Sequence, residues 1–237
     1  MGAAGSENPV VLKLVIGNKN YSSWSLRAWL YLVQSGLAFE EIRLRLFTET
    51  WPMDIARYSP AGRVPVLLDG DITVWDSLAI MEYVRETYPG SVGWPRDRAA
   101  CAYARAITAE MHSGFLAVRE ELPQNIRICQ KRSRTDFSSA AQQQILRIET
   151  LWQDCYQRFG GPWLFGEFSI ADVMYAPVAL RFVTYAIALA PEAQQFVTAV
   201  QNLPAIQRWA EDSAAEAESL AFIDKVRPTP STPLSLG

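Results

Sequence analysis

Three hydroxyls crowd one short stretch of this chain. Residues 20–27 read N-Y-S-S-W-S-L-R, which places Ser22, Ser23 and Ser25 just ahead of an apolar run. Serines at such a point cap the free N–H groups of a starting helix. A hydroxyl set beside a bound thiol does something further: it stabilises thiolate more than thiol and lowers the thiol's pKa. A second group is Asp76-Ser77, at the start of a predicted helix. Unpaired N–H groups and the positive end of the helix dipole hold carboxylates there; plain capping by Asp76 or Ser77 is compatible with that. Arg63 precedes Val64-Pro65, and its guanidinium is either solvated or free to grip a carboxylate. His112 is the only histidine. It is either a satisfied structural residue or a pocket contact with Met111, Phe115 and Arg119 as neighbours.

The same inventory excludes other chemistries. Cys101, Cys129 and Cys155 are widely spaced and form no C-x-x-C, so neither a zinc ribbon nor a dithiol motif is available. They read as reduced thiols of a cytoplasmic protein. One histidine starves a metal site, and no metal is expected. No G-x-S-x-G elbow surrounds any serine. With 22 basic and 25 acidic side chains and a net charge of −3, the chain lacks a nucleic-acid binder's basic footprint. No apolar run reaches the ~18 residues that span a bilayer, and the N-terminus lacks the basic and apolar regions of a secretory signal. Neither nucleic acid nor membrane is an expected partner.

The elements that must position these groups follow from periodicity. Residues 10–16 are a β-branched apolar run, read as a buried strand. A helix over 26–34 ends at Gly36. Residues 39–46 alternate apolar and charged side chains, as a half-buried strand does. A short irregular or helical piece covers 51–58. Residues 64–68 and 72–74 are strands joined at Asp69-Gly70-Asp71, and a helix covers 77–88. The order is β-α-β-α-β-β-α. Residues 89–95 read as a linker. Beyond it strand patterns vanish. One long helical stretch is expected over 98–121. Ile145, Ile148, Trp152, Cys155 and Phe159 form one face of another helix, which makes Cys155 a core residue. Gly160-Gly161-Pro162 breaks it. Ser169 to Asp172 fits a capped helix start, read as a folding signal rather than a site. Shorter helices are expected over 191–200 and 204–218. Residues 1–9 and 228–237 are expected to be flexible. Lys131-Arg132-Ser133-Arg134 reads as a solvated loop.

Four segments, in this order and at these spacings, resemble the cytosolic glutathione transferase superfamily. They are N-Y-S-S-W-S-L-R at 20–27, S-P-A-G-R-V-P at 59–65, W-D-S-L-A-I-M-E-Y at 75–83 and S-I-A-D-V-M-Y-A-P at 169–177. The resemblance covers residues 10–222, and the serine-rich segment is most similar to the serine-type classes, zeta and related bacterial transferases. It implies an α/β thioredoxin-like N-terminal domain over 10–88 and an all-α C-terminal helical domain over 96–222. It implies glutathione as cosubstrate, a small hydrophobic electrophile as second substrate, and a homodimer. Val64-Pro65 would be the family's cis-proline, offering the Val64 backbone to the cysteinyl unit of glutathione. Ser77, helped by Asp76, would take the γ-glutamyl carboxylate. The usual acid there is Glu, so the contact of the shorter Asp76 stays open. Arg63 could reach the glycyl carboxylate, near which Trp51 lies.

Aligning Arg27 with the arginine after the zeta S-S-C-S pattern puts Ser22 on the catalytic serine, ahead of Ser23 and then Tyr21. It puts Trp24 where zeta enzymes have cysteine, so Trp24 could only shape the pocket. The helix carrying His112 lines the family's electrophile pocket, with Met111, Phe115 and Arg119. The implied activity is glutathione transfer of a detoxification type. Its alternatives are a glutathione-dependent isomerase like maleylacetoacetate isomerase, a peroxidase, or a non-catalytic glutathione-binding module. Thiol transfer is weakly supported, because no cysteine falls in the Ser22 loop.

Overall fold

The computed structural model describes residues 11–224. The expected flexible ends, 1–9 and 228–237, and Val10 of the first expected strand lie outside the described residues. Within them, a four-stranded sheet comes first and helices follow. β1 (Leu12–Ile16), β2 (Phe39–Arg43), β3 (Val66–Asp69) and β4 (Ile72–Trp75) lie in the order β2-β1-β3-β4. β1 runs parallel to β2 and antiparallel to β3, and β3 and β4 form the hairpin. Gly70 turns that hairpin with a φ of 58°, which glycine adopts at no steric cost. The parallel β1–β2 pair needs a crossover, supplied by helix α1 (Ser23–Gln34).

α2 (Trp51–Ala56) is one and a half turns long, and α3 (Ser77–Thr87) follows the hairpin. α1 is buried along most of its length, because it is covered by the sheet on one side and by the helical half on the other. The remaining helices are α4 (Arg98–Ser113), α5 (Leu116–Glu121), α6 (Ser139–Phe159), α7 (Ile170–Thr184), α8 (Pro191–Gln201), α9 (Pro204–Ala214) and α10 (Ala221–Asp224). α7 is apolar all round and almost wholly buried, as the central helix of a bundle must be. Asp172 supports its first turn, accepting from the Ser169 N–H (2.8 Å), the Ser169 hydroxyl (2.9 Å) and the Leu164 N–H (2.8 Å). Cys155 is fully buried on the inner face of α6, and burial pushes its thiol up to about 12.

The single helix expected over 98–121 is two helices. Gly114 and Phe115 separate α4 from α5, with Phe115 in left-handed backbone at a φ of 57°. A Cβ at Gly114 would stand 2.7 Å from the Glu110 carbonyl oxygen. The left-handed residue re-aims the chain and drives the Phe115 ring into the core. One reversed backbone angle leaves the apolar pattern on either side intact, so periodicity could not reveal the break.

Candidate active site between the sheet and the helices

The loop after β1 carries the serines and is tied from distant parts of the chain. The Asn18 carbonyl accepts from the Tyr21 and Ser22 N–H groups, and its side-chain oxygen accepts from the Leu46 N–H at 2.9 Å. The buried Glu216 carboxylate accepts from the Lys19 N–H (2.7 Å) and the Asn20 N–H (3.3 Å). The Trp209 indole donates to the Lys19 carbonyl at 2.9 Å. Ser22 then caps α1: its Oγ accepts from the Ser25 N–H at 3.2 Å and donates to the Ser25 Oγ at 2.7 Å. Ser25 in turn accepts from the Gly17 N–H at 3.0 Å. Ser23 accepts at 3.2 Å from the Arg181 guanidinium, which reaches across from α7. The Tyr21 hydroxyl is engaged with Asp224, Arg127 and the Leu220 N–H. It holds the C-terminal segment in place.

Two cavities meet at this loop. One, of about 650 Å³, is bordered by Ser22, Ser23, Trp51, Gln124, Arg181 and Phe222, among others. The second, of about 470 Å³, is bordered by Pro65, Asp76, Ser77 and His112. Trp24, Arg63, Val64 and Arg119 line both. The Val64–Pro65 bond is cis. Ser77 is fully buried, yet its hydroxyl has no hydrogen-bond partner among the described residues. Asp76 caps α3 by accepting from the Leu78 N–H at 2.9 Å, and its other oxygen lies 3.3 Å from His112 Nε2. The His112 ring meets the Trp24 ring edge-on, with centroids 5.3 Å apart.

Most of the residues singled out in the sequence therefore share one cleft; two do not. Met111 and Phe115 are 1% and 6% exposed, packed into the core, and neither lines either of these two cavities. Successive residues of a helix point ~100° apart, so Met111 turns inward where His112 faces the cleft. Phe115 is taken into the core by its left-handed backbone.

Charge is distributed unevenly. Arg27 is fully buried beneath Trp24, with its guanidinium 4.4 Å from the ring centroid. It donates to the carbonyls of Met174 and Ser23, and its remaining terminal nitrogen has no hydrogen-bond partner among the described residues. Arg119 lies 4.8 Å from the same ring centroid and donates to the Met111 and His112 carbonyls. Arg181 donates to the Leu122 carbonyl besides Ser23. Burial, then the charges of Arg181 and Arg119, hold Arg27 well below the usual arginine range, and burial brings Arg181 down to about 10.

Family models of the N-terminal and C-terminal glutathione S-transferase domains match residues 21–87 and 102–212. This chain belongs to the cytosolic glutathione S-transferase superfamily. Glutathione S-transferase Z1 of Arabidopsis thaliana is 37% identical over 84 residues, covering 33% of this chain and 38% of that protein. A dichloromethane dehalogenase of Methylophilus leisingeri is 36% identical over 66 residues, 27% of this chain and 25% of the relative. The match thus spans about a quarter of that relative's length. Maleylacetoacetate isomerase of Rattus norvegicus is 27% identical over 174 residues, 72% of this chain and 78% of that one. Among solved structures, a glutathione transferase homologue from Burkholderia with bound glutathione is 25% identical. It covers 87% of this chain and all of its own, with a TM-score of 0.64.

Several residues that line or support this cleft were not singled out as site residues in the sequence. Ser25 carried a signal, the Ser-x-x-Ser spacing that lets it face Ser22 across one helical turn. Arg181 stood out only as the one charge in the apolar run after Asp172. Gln124, Phe47 and Phe222 carried none, since only the folded chain brings them to the same wall.

Proposed function

We propose that this protein is a glutathione transferase in which Ser22 stabilises the thiolate of glutathione for attack on small hydrophobic electrophiles. One observation carries the reading: the Ser22 hydroxyl and the unpartnered Ser77 hydroxyl border two cavities that share the walls of Trp24 and Val64. That supports a carboxylate-binding site and a hydroxyl donor to the thiolate along one cleft. Glutathione supplies a nucleophilic sulfur whose ordinary pKa is about 8.5. The chain's own groups do the rest. Ser77 and the α3 N-terminus would hold the γ-glutamyl carboxylate, steadied by Asp76 and its contact with His112. The Val64 backbone would pair with the cysteinyl unit, and Arg63 and Trp51 border the glycyl end. Ser22 turns its proton from Ser25 Oγ to the sulfur. The free N–H groups at the start of α1 add a favourable field.

Residues 10–88 hold glutathione and residues 96–222 supply the electrophile's pocket in this reading, with 89–95 as the linker. A homodimer, a cytoplasmic location and a detoxification role belong to the same proposal, as the family's usual setting. Glutathione-dependent isomerisation is the second reading. The 72% coverage by the rat isomerase favours it, and Trp24 in place of the zeta cysteine speaks against it.

The deciding experiment is a pH titration of thiolate absorbance for glutathione bound to the protein. A bound-thiol pKa well below about 8.5, lost in Ser22→Ala, is the expected result. Turnover should fall about 10-fold or more, the equivalent of ~1.5 kcal/mol, with glutathione affinity largely kept. An unchanged rate in Ser22→Ala would remove Ser22 from the mechanism.

A further inference from the structure

The larger cavity has walls of two kinds. One is apolar: the Phe47 ring meets the Phe222 ring edge-on, and Leu46, Pro123 and Ile223 line the cavity as well. The other is polar. Gln124 is only 3% exposed, it borders the cavity, and neither its amide oxygen nor its amide nitrogen has a hydrogen-bond partner among the described residues. Arg181, 6% exposed, borders the cavity beside Ser23, to which it donates. Arg119, half-buried, borders it too, and its Nε has no hydrogen-bond partner among the described residues. Arg27 stands behind Trp24 as a second buried guanidinium. Among the described residues on this cavity's wall the only acid is Glu120, which is exposed. Buried cations ordinarily sit beside carboxylates, and a buried amide ordinarily makes its hydrogen bonds. Here Arg181, Arg119 and Gln124 line a cavity instead.

We propose that this polar wall is a carboxylate subsite: the electrophile is an amphipathic acid whose carboxylate is held by Arg181, Arg119 and the Gln124 amide. This rests on the transferase reading above and narrows its electrophile from hydrophobic to anionic. Guanidinium N–H groups match a carboxylate's two oxygens, and an amide N–H adds a third donor from the side. The apolar wall receives the rest of the molecule. Because Arg181 bonds the residue next to Ser22, the anchored acid would present its reactive carbon close to the sulfur.

A matched pair of probes tests this: 4-chloro-3-nitrobenzoate and its methyl ester, each rate divided by that compound's rate with free glutathione. The expected result is a kcat/KM preference for the acid of about 10-fold or more, the scale of one charge-assisted contact. Gln124→Leu and Arg181→Gln should each cut that preference several-fold. Gln124→Leu removes no hydrogen bond present in the fold, so it stays informative if Arg181→Gln fails to fold. Preference for the ester, or an acid preference unchanged in Gln124→Leu, would overturn the subsite. Calorimetric binding of 4-chloro-3-nitrobenzoate in the absence of glutathione separates the two claims. Binding weakened by Gln124→Leu upholds the subsite even where the thiol titration fails, and no binding together with no acid preference removes it.

Discussion

At the scale of single residues, the candidate thiolate donor is not an isolated hydroxyl. Ser22 Oγ lies 2.7 Å from Ser25 Oγ, and Ser25 is anchored by the Gly17 N–H. When Ser22 donates its hydrogen bond to a sulfur, Ser25 is placed to reverse its role and donate to Ser22. A hydroxyl that accepts a hydrogen bond donates a stronger one. Ser25→Ala should therefore leave a bound-thiol pKa above that of the wild type and below that of Ser22→Ala. The same thiolate titration reads it. The substitution also strands the buried Gly17 N–H, at a cost of ~1–3 kcal/mol to folding. An equal pKa in Ser25→Ala and the wild type would leave Ser25 with only its structural bond.

At the scale of elements, two devices set where helices begin and end. The break between α4 and α5 needs Gly114, because a Cβ there would meet the Glu110 carbonyl. Gly114→Ala should cost ~1–3 kcal/mol, measured by denaturant melts. It should also disturb the cleft, since His112 stands two residues earlier. The start of α7 depends on Asp172, whose carboxyl burial pushes up from its ordinary 3.8 to about 6. The folded state thus holds that proton more tightly than the unfolded chain. The contribution is fully present below about 3.8 and is lost as pH rises through about 6. Asp172→Asn cannot accept all three hydrogen bonds, so it should be less stable throughout, by ~1–3 kcal/mol. It does not titrate, so its deficit should widen as pH falls from 7 towards 5. A deficit that narrows over that window would contradict the raised value.

At the scale of the whole molecule, the candidate catalytic loop is held by residues about 200 positions later in the chain. Glu216 binds the backbone of Lys19 and Asn20, and Asp224 binds Tyr21. Arg27 in α1 donates to Met174 in α7, joining the sheet half to the helical half. Placement of Ser22 is therefore a property of the assembled fold rather than of its loop. Glu216→Ala strands two buried N–H groups, which should cost ~2–4 kcal/mol and lower the melting temperature by several degrees. Turnover should fall although residue 216 borders neither cavity. Glu216→Gln keeps an acceptor and should lose less on both counts.

What the amino-acid order determined by itself is local. Strand and helix order, the proline beside β3, the hydroxyls at the head of α1 and the Asp76-Ser77 cap all follow from residue types over a few positions. Backbone preferences and periodicity act at that range. The tertiary structure alone decided which faces meet. Met111 and His112 are neighbours in sequence, and only the packing of α4 sends one to the core and the other to the cleft. The turn at Phe115 is a single left-handed residue that leaves no periodic trace. Arg181 reads as an oddity in an apolar helix until α7 is laid against α1 and its guanidinium reaches Ser23, 158 residues earlier. Contacts between side chains that distant arise from the whole core closing at once, and no short window of sequence holds that information.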